Sequence, residues 1–333
     1  MNIIQRPDAQ EFCATMKDYI IDTDSTITFS VKYGGKTILE EEYTPDYNFK
    51  VEVRKLGQFC AKALWGIWCD TGTCNQSPAA GLFTFLINGV QDAQSYVMFS
   101  RLMTKKKAAA PGWLSEVRDK MVRENGKEYI SGVFQNGEKA IITIRTDDGI
   151  VMTHDALYTH TSDKAIVTLD VSPDVIFALF PTLLASDIVS YEIIKGSDLM
   201  KCFIDHTQYL ETFIFRYKNV YDMPETLTTV GTLSIKGSNE SDTAEMYAVE
   251  RKFSIKVTDE YTANSGVIFL PSDYKLWHNM MNAQEVQILI DGSWYSIIIS
   301  KHTYERDFRK SSLKAVDFSF KMADPEQNNL IEI

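Results

Sequence analysis

Apolar and polar residues alternate strictly along five separate stretches of this chain, and that alternation narrows the available folds more than any other feature. Ile27, Phe29, Val31 and Tyr33 alternate with Thr28, Ser30 and Lys32, and Phe49, Val51 and Val53 with Lys50 and Glu52. The same pattern recurs in Val167, Leu169 and Val171, in Phe253, Ile255 and Val257, and in Val316, Phe318, Phe320 and Met322. A period of two sends successive side chains to opposite faces of a pleated strand, so each stretch reads as a half-buried antiparallel strand. Gly34-Gly35, Asn88-Gly89, Asn136-Gly137, Asp148-Gly149 and Asp291-Gly292 fall between such stretches and supply the positive φ angles of tight turns. The clearest hairpin runs from Val286 to Ile290, turns at Asp291-Gly292 and returns through Trp294 to Ile299.

Helical spacing is sparse. Leu56, Phe59, Cys60, Ala63 and Leu64 predict an amphipathic helix over about 54–66, and Trp113, Val117 and Met121 suggest another. Ser172 before Pro173 has the form of an N-cap and first turn, with Pro181 limiting that helix to about two turns. Ser272 is placed to cap a last short helix that buries Leu276, Trp277, Met280 and Met281, a stripe that reads as core packing. The fold class is therefore mainly β: consecutive antiparallel β-sandwich or barrel-like domains with a few short helices.

At 333 residues the chain exceeds the roughly 250–300 at which a single core stops growing. Lys105-Lys106-Lys107, followed by three alanines, Pro111 and Gly112, reads as a solvated linker, and a softer break lies between Ala185 and Tyr191. Three modules follow: residues 1–107, an N-terminal β-sandwich with one helix; 108–189, a small β-rich middle module; and 190–333, a C-terminal β-rich domain. No internal repeat of a solenoid or propeller is present.

The search for chemistry excludes the commonest designs. The chain has no G-x-S-x-G elbow, no phosphate-binding loop and no G-x-G-x-x-G. Cys13, Cys60, Cys69, Cys74 and Cys202 are odd in number and irregularly spaced, which argues against both a disulfide framework and paired zinc knuckles. His154-Asp155 and Asp205-His206 are sequence neighbours, and neighbours on a strand point apart. Glu40-Glu41-Glu42 reads as an exposed strand end and Asp147-Asp148-Gly149 as a turn, while Glu305-Arg306-Asp307 has no spacing that predicts acid–base work. No catalytic residue, metal ligand or cofactor site is expected, and the protein is read as not an enzyme. A β-sandwich hydrolase remains as a third reading, to be revealed by a buried carboxylate pair or a His-lined pocket.

A net charge of −11 disfavours nucleic acid and anionic lipid as partners. No apolar run approaches the ~20 residues that span a bilayer, and the first residues, MNIIQRPDAQEF, lack the pattern of a secretory signal. Synthesis in a cytoplasm without membrane insertion is the expectation. Aromatic residues that read as exposed recur at strand ends and hairpins, including Tyr43, Tyr47, Tyr209, Tyr217, Tyr221, Trp294, Tyr295 and Tyr304. Such residues serve in interface cores, as stacking platforms for sugars, or simply as filling for a β core.

The last 145 or so residues add a resemblance. Phe213-Ile214-Phe215, Asn219, Pro224-Glu225-Thr226 and Gly231, then the run from Asp259 to Gly266, then Val316 to Asp324, are similar to segments of virion proteins of Bacteroidetes phages and prophages. The stretch from Phe29 through Tyr43-Thr44-Pro45 to Leu56 resembles the opening β-sandwich of the same kind of protein. The resemblance implies a tail or baseplate component most like a distal tail protein, located in the virion tail after synthesis in the host cytoplasm. Its implied partners are other copies of itself, in a ring, and other tail or virion proteins. The middle module matches no part of that family, and no family active-site residue exists to carry over. Tyr217, Tyr221, Trp277 and Trp294 are the residues expected to contribute to packing or assembly. The alternative is a carbohydrate-binding or adhesin β-sandwich with a surface glycan as ligand, which calls for two or three coplanar aromatics in a shallow groove.

Overall fold

The computed structural model describes residues 1–70, 72–101, 112–303, 314–327 and 331. The expected linker from Lys105 to Pro111, Tyr304 and Glu305-Arg306-Asp307 lie outside the described residues. The protein is mainly β, built from five sheets and a few short helices.

At the N-terminal end a five-stranded sheet, in the order Gln10–Phe12, Val90–Met98, Ala80–Ile87, Ile27–Tyr33 and Lys36–Tyr43, faces a three-stranded one. The smaller sheet consists of Asn2–Gln5, Tyr19–Asp22 and Lys50–Val53. The alternation decides what lies between them: Phe29, Val31, Phe83 and Phe85 from one sheet meet Tyr19, Ile21, Val51 and Val53 from the other. The helix Leu56–Ala61 closes this core with Leu56 and Cys60. It starts at Leu56 because Lys55 sits at φ 59°, a left-handed conformation that no helix passes through, and it ends at Ala61, five residues before the predicted limit. Gly57 lets the helix settle, since a Cβ there would collide with the Cys13 carbonyl oxygen.

A second five-stranded sheet runs in the order Asp119–Arg123, Asp198–Asp205, Ile188–Lys195, Lys139–Thr146 and Val151–Thr159. Two sequence expectations are corrected here. The boundary at 189/190 falls inside Ile188–Lys195, and that strand and Asp198–Asp205 complete the middle sheet instead of opening the C-terminal domain. The helix suggested by Trp113, Val117 and Met121 is absent: Met121 lies on a strand paired in parallel with Lys201–Asp205, and Trp113 bridges to Gly132. That pairing is set about eighty residues away, so no local spacing reveals it. A three-stranded sheet of Tyr129–Phe134, Ala165–Asp170 and Thr73–Asn75 also borrows a strand from before residue 107.

The C-terminal sheet has seven strands, in the order Pro224–Thr229, Phe213–Lys218, Val286–Ile290, Ser293–Thr303, Asp317–Met322, Val249–Asn264 and Leu233–Met246. The hairpin turning at Asp291-Gly292 forms as the sequence indicates. Helix Pro271–Met281 packs Leu276, Trp277, Met280 and Met281 against the sheet, beginning at Pro271 itself with Leu270, not Ser272, flanking its start. Helix Pro173–Ala178 starts as expected, but the Ser172 hydroxyl donates to Asp170 instead of capping it. One continuous core joins the middle and C-terminal sheets, from Trp113 to Ile331. Among the described residues no helix is long and apolar enough to cross a membrane.

Candidate assembly interface

Two strands of the C-terminal sheet run far beyond it. Leu233–Met246 and Val249–Asn264 are antiparallel partners from Leu233↔Ala263 out to Met246↔Val249. Their base is core: Tyr261 and Ala263 are buried, and the Tyr261 ring stacks on Phe320 with centroids 5.1 Å apart. The neighbouring strand Asp317–Met322 reaches only Tyr261 to Asn264. Beyond that, residues 236–246 and 249–260 form a two-stranded ribbon with no further strand on either side among the described residues. Ten or so residues at ~3.3 Å each make an arm of roughly 33 Å.

The arm's surface is unlike a solvated loop. Met246, Val249, Phe253, Ile255 and Val257 are all exposed, Ile255 by 56%, and Tyr247 at the tip by 94%. The sequence reads Phe253, Ile255 and Val257 as one apolar face of a half-buried strand, and two features correct that. All three stay exposed to solvent among the described residues, and a bulge between Glu240 and Asp242, with Ser254 at φ 51°, inserts one residue into the second strand. One extra residue reverses the alternation, so Phe253 and Val257 lie on opposite faces and the arm carries apolar groups on both. Its charges nearly balance, with six acidic and four basic residues between 236 and 260, so most of the −11 belongs to the remainder of the chain.

Of the four expected interface residues, three are core. Tyr217, Tyr221 and Trp277 are buried, which corrects the view of the two tyrosines as exposed. Tyr217 donates to Glu225 at 3.1 Å, Tyr221 packs on Phe12 (5.5 Å between ring centroids) and Trp277 packs on Phe318 at 6.0 Å. Trp294 is half-buried, its ring 4.1 Å from the Arg216 guanidinium, which also stacks on Trp68 at 4.7 Å. The covering residues Phe12 and Trp68 come from more than a hundred positions away, so strand-end aromatics look exposed in sequence. The rings exposed among the described residues are elsewhere: Tyr47 and Phe49 on the loop before Lys50, Trp65 after the first helix, Phe269 before the last helix, and Tyr247 and Phe253 on the arm.

Buried charge gathers where the middle sheet meets the C-terminal one. The Lys120 ammonium donates to Glu128 at 2.6 Å and to the Thr226 carbonyl at 2.5 Å, and Glu128 also accepts from the Thr226 hydroxyl. Glu225 accepts from Ser115, Tyr217 and Asn219, and Asp273 from the Met121 backbone N–H. Burial pushes Glu128 up to about 7, against the pull of Lys120, and Asp273 up to about 6. The sequence does not foretell this network, because its members lie on four separate elements. Carboxylates and a lysine do converge here, but the adjoining cavity is about 30 Å³, room for one or two waters. His206 is engaged by Glu124 at 3.0 Å and the Ile188 carbonyl at 2.9 Å, and His160 by Tyr158 and the Asp163 carbonyl. Among the described residues no cluster of three or more His, Cys, Asp or Glu is placed to hold a metal.

No family model matches the chain, and no curated protein matches it. Among solved structures it is similar to a chain of a native gene transfer agent virion, at 10% identity and a TM-score of 0.25, covering 35% of this chain and 95% of that one. It is also similar to the I9–I11 tandem of titin, at 8% identity and a TM-score of 0.19, covering 79% of this chain and 93% of that one. Both superpositions are too loose to mark a common fold.

Proposed function

We propose that this chain is a structural subunit of a phage tail or a related contractile or injection particle, one that assembles into a ring or baseplate through protein–protein contacts and catalyses no reaction. The observation that carries the proposal is the arm. An isolated two-stranded ribbon is at best marginally stable in water, and long unpaired edges with apolar side chains are what folded monomers avoid. Such a ribbon becomes favourable once a neighbouring subunit covers it. The sequence resemblance to virion proteins supports the choice of particle, and the neighbouring subunits are further copies of this chain and other tail proteins.

The buried Lys120–Glu128–Glu225 network fits a structural role. Lys120 and Glu128 bond to each other and to Thr226, Glu225 bonds to Ser115, Tyr217 and Asn219, and the adjoining space is small, so the groups serve to lock the middle sheet to the C-terminal one.

The test is the solution mass of the full chain beside a variant whose residues 238–258 are replaced by Asn-Gly, closing the hairpin at the Gly237–Asp259 pair. The full chain is expected as a multi-subunit species and the shortened one as a folded monomer with an unchanged melting temperature. Equal masses for the two would overturn the assembly reading.

A further inference from the structure

Taking the assembly reading as its starting point, we infer that two copies of this chain join through the outer edge of Leu233–Met246. The two copies of that strand run antiparallel about a two-fold axis at Ser238 or Asn239, Lys236 of each facing an acidic residue of the other. Leu233–Met246 is the outermost strand of the seven-stranded sheet and pairs only with Val249–Asn264, so among the described residues no strand lies on its other side. From Ser234 to Met246 every residue is exposed apart from the half-buried Ser241.

Folded proteins protect a long edge with proline, a bulge or a row of charges. This strand of fourteen residues has no proline, and the bulge between Glu240 and Asp242 puts its extra residue in the inner strand, leaving the outer one regular. Gly237, Ser238 and Asn239 carry no charge and are too small to bar a neighbour. The edge strand Lys36–Tyr43, by contrast, has eight residues and is guarded by Glu40-Glu41-Glu42.

Charge selects the occupant and limits the register. Lys236 lies toward the base of the strand and Glu240, Asp242 and Glu245 toward its tip, all exposed and none in an ion pair among the described residues. A strand with its cation at one end and its carboxylates at the other is complementary to its own reversed copy. A two-fold pair sets one residue opposite itself, and residues opposite each other share a face of the sheet. With Asn239 on the axis Lys236 faces Asp242, and with Ser238 there it faces Glu240; each contact is made twice. An axis at Glu240 or Asp242 sets a carboxylate against itself, and one at Ser241 sets Glu240 against Asp242. An axis at Gly237 leaves Lys236 opposite Ser238. Like charges directly opposite destabilise a pair of strands, so the first two registers stand. The contact closes at two copies, so a larger ring needs a second, different contact, for which Phe253 and Ile255 on the inner strand remain exposed.

The experiment is sedimentation velocity of the full chain, its Lys236→Glu variant, the swaps Lys236→Asp/Asp242→Lys and Lys236→Glu/Glu240→Lys, and Glu40→Lys/Glu42→Lys on the other edge. Lys236→Glu is expected to weaken self-association by roughly tenfold or more, because two attractive pairs become repulsive. One of the two swaps is expected to restore the parent value, and which one does so fixes the axis. Glu40→Lys/Glu42→Lys is expected to associate as the parent does, and a loss there overturns the self-pairing. A parent that stays monomeric overturns the second copy as occupant. A parent whose association needs the arm but survives Lys236→Glu overturns the edge pairing while leaving the assembly reading intact. Failure of both swaps to restore association also overturns the pairing. If Lys236→Glu lowers the melting temperature, Lys236→Gln probes the same contact, and unchanged association there overturns it.

Discussion

The long hairpin is two regions in one pair of strands, and their contrast is the most instructive feature of the molecule. At the base, Leu233, Tyr261 and Ala263 are sealed under Phe318, Phe320 and the last helix. Further along the same strands, Phe253, Ile255 and Val257 carry an equally strong alternation and face solvent. The periodicity is therefore a statement about strand geometry and which groups want cover. It is silent on whether the cover comes from this chain or from another.

The contrast can be broken most severely by substituting matched rings. Phe320→Ala removes a fully buried ring stacked on Tyr261, and is expected to cost about 3–5 kcal/mol in urea unfolding. Phe253→Ala, on the arm, is expected to change monomer stability by no more than about 0.5 kcal/mol. Comparable losses at the two positions would mean that the arm is covered within its own chain.

Charge offers a further handle on the packed side of this comparison, since Asp273 on the last helix is buried. Asp273, held up to about 6 by burial, has an ordinary unfolded value near 3.8. A carboxyl whose folded value is raised contributes its full stability below the unfolded value and loses it as pH rises through the folded one. Asp273→Asn keeps an acceptor for the Met121 N–H and removes the titration. Relative to the parent, the variant should gain up to about 3 kcal/mol between pH 3.5 and pH 7. Parallel pH–stability curves for the parent and the Asp273→Asn variant would contradict the burial argument.

Much of the fold is legible in the sequence, and what is not has a common cause. Strands, hairpin turns and the Pro173 helix depend on neighbours a few positions apart, and these appear where the pattern places them. The parallel pairing of Asp119–Arg123 with Lys201–Asp205 and the loan of Thr73–Asn75 to the middle sheet are long-range choices without a local mark. They are also why module boundaries drawn from composition miss the Ile188–Lys195 strand. The choice between packing and assembly was hidden for the same reason: Tyr217 and Trp277 have the residue types of a docking surface, and their burial is seen only in the folded chain. The second arm strand was readable from Phe253, Ile255 and Val257, while its long partner Leu233–Met246 and the arm's projection are visible only in the structure, where the neighbouring strand stops at Tyr261.

The smallest expected effect concerns the arm's tip. Tyr247 and Ala248 occupy the two central positions of the turn with φ of 59° and 60°, the geometry that Asn-Gly adopts readily. Each non-glycine residue held there costs about 1 kcal/mol, and at the tip no buried contact offsets it. Tyr247→Asn/Ala248→Gly should therefore slow amide exchange by roughly tenfold across residues 243–252 in the monomeric protein, with no change in global melting, because the arm opens independently of the core beneath it. If the tip serves as a contact, the same double substitution weakens assembly even as it stabilises the free arm, since it removes the 94%-exposed Tyr247 ring. A variant with a slower-exchanging arm and stronger assembly would place the contact along the ribbon's strands and not at its end.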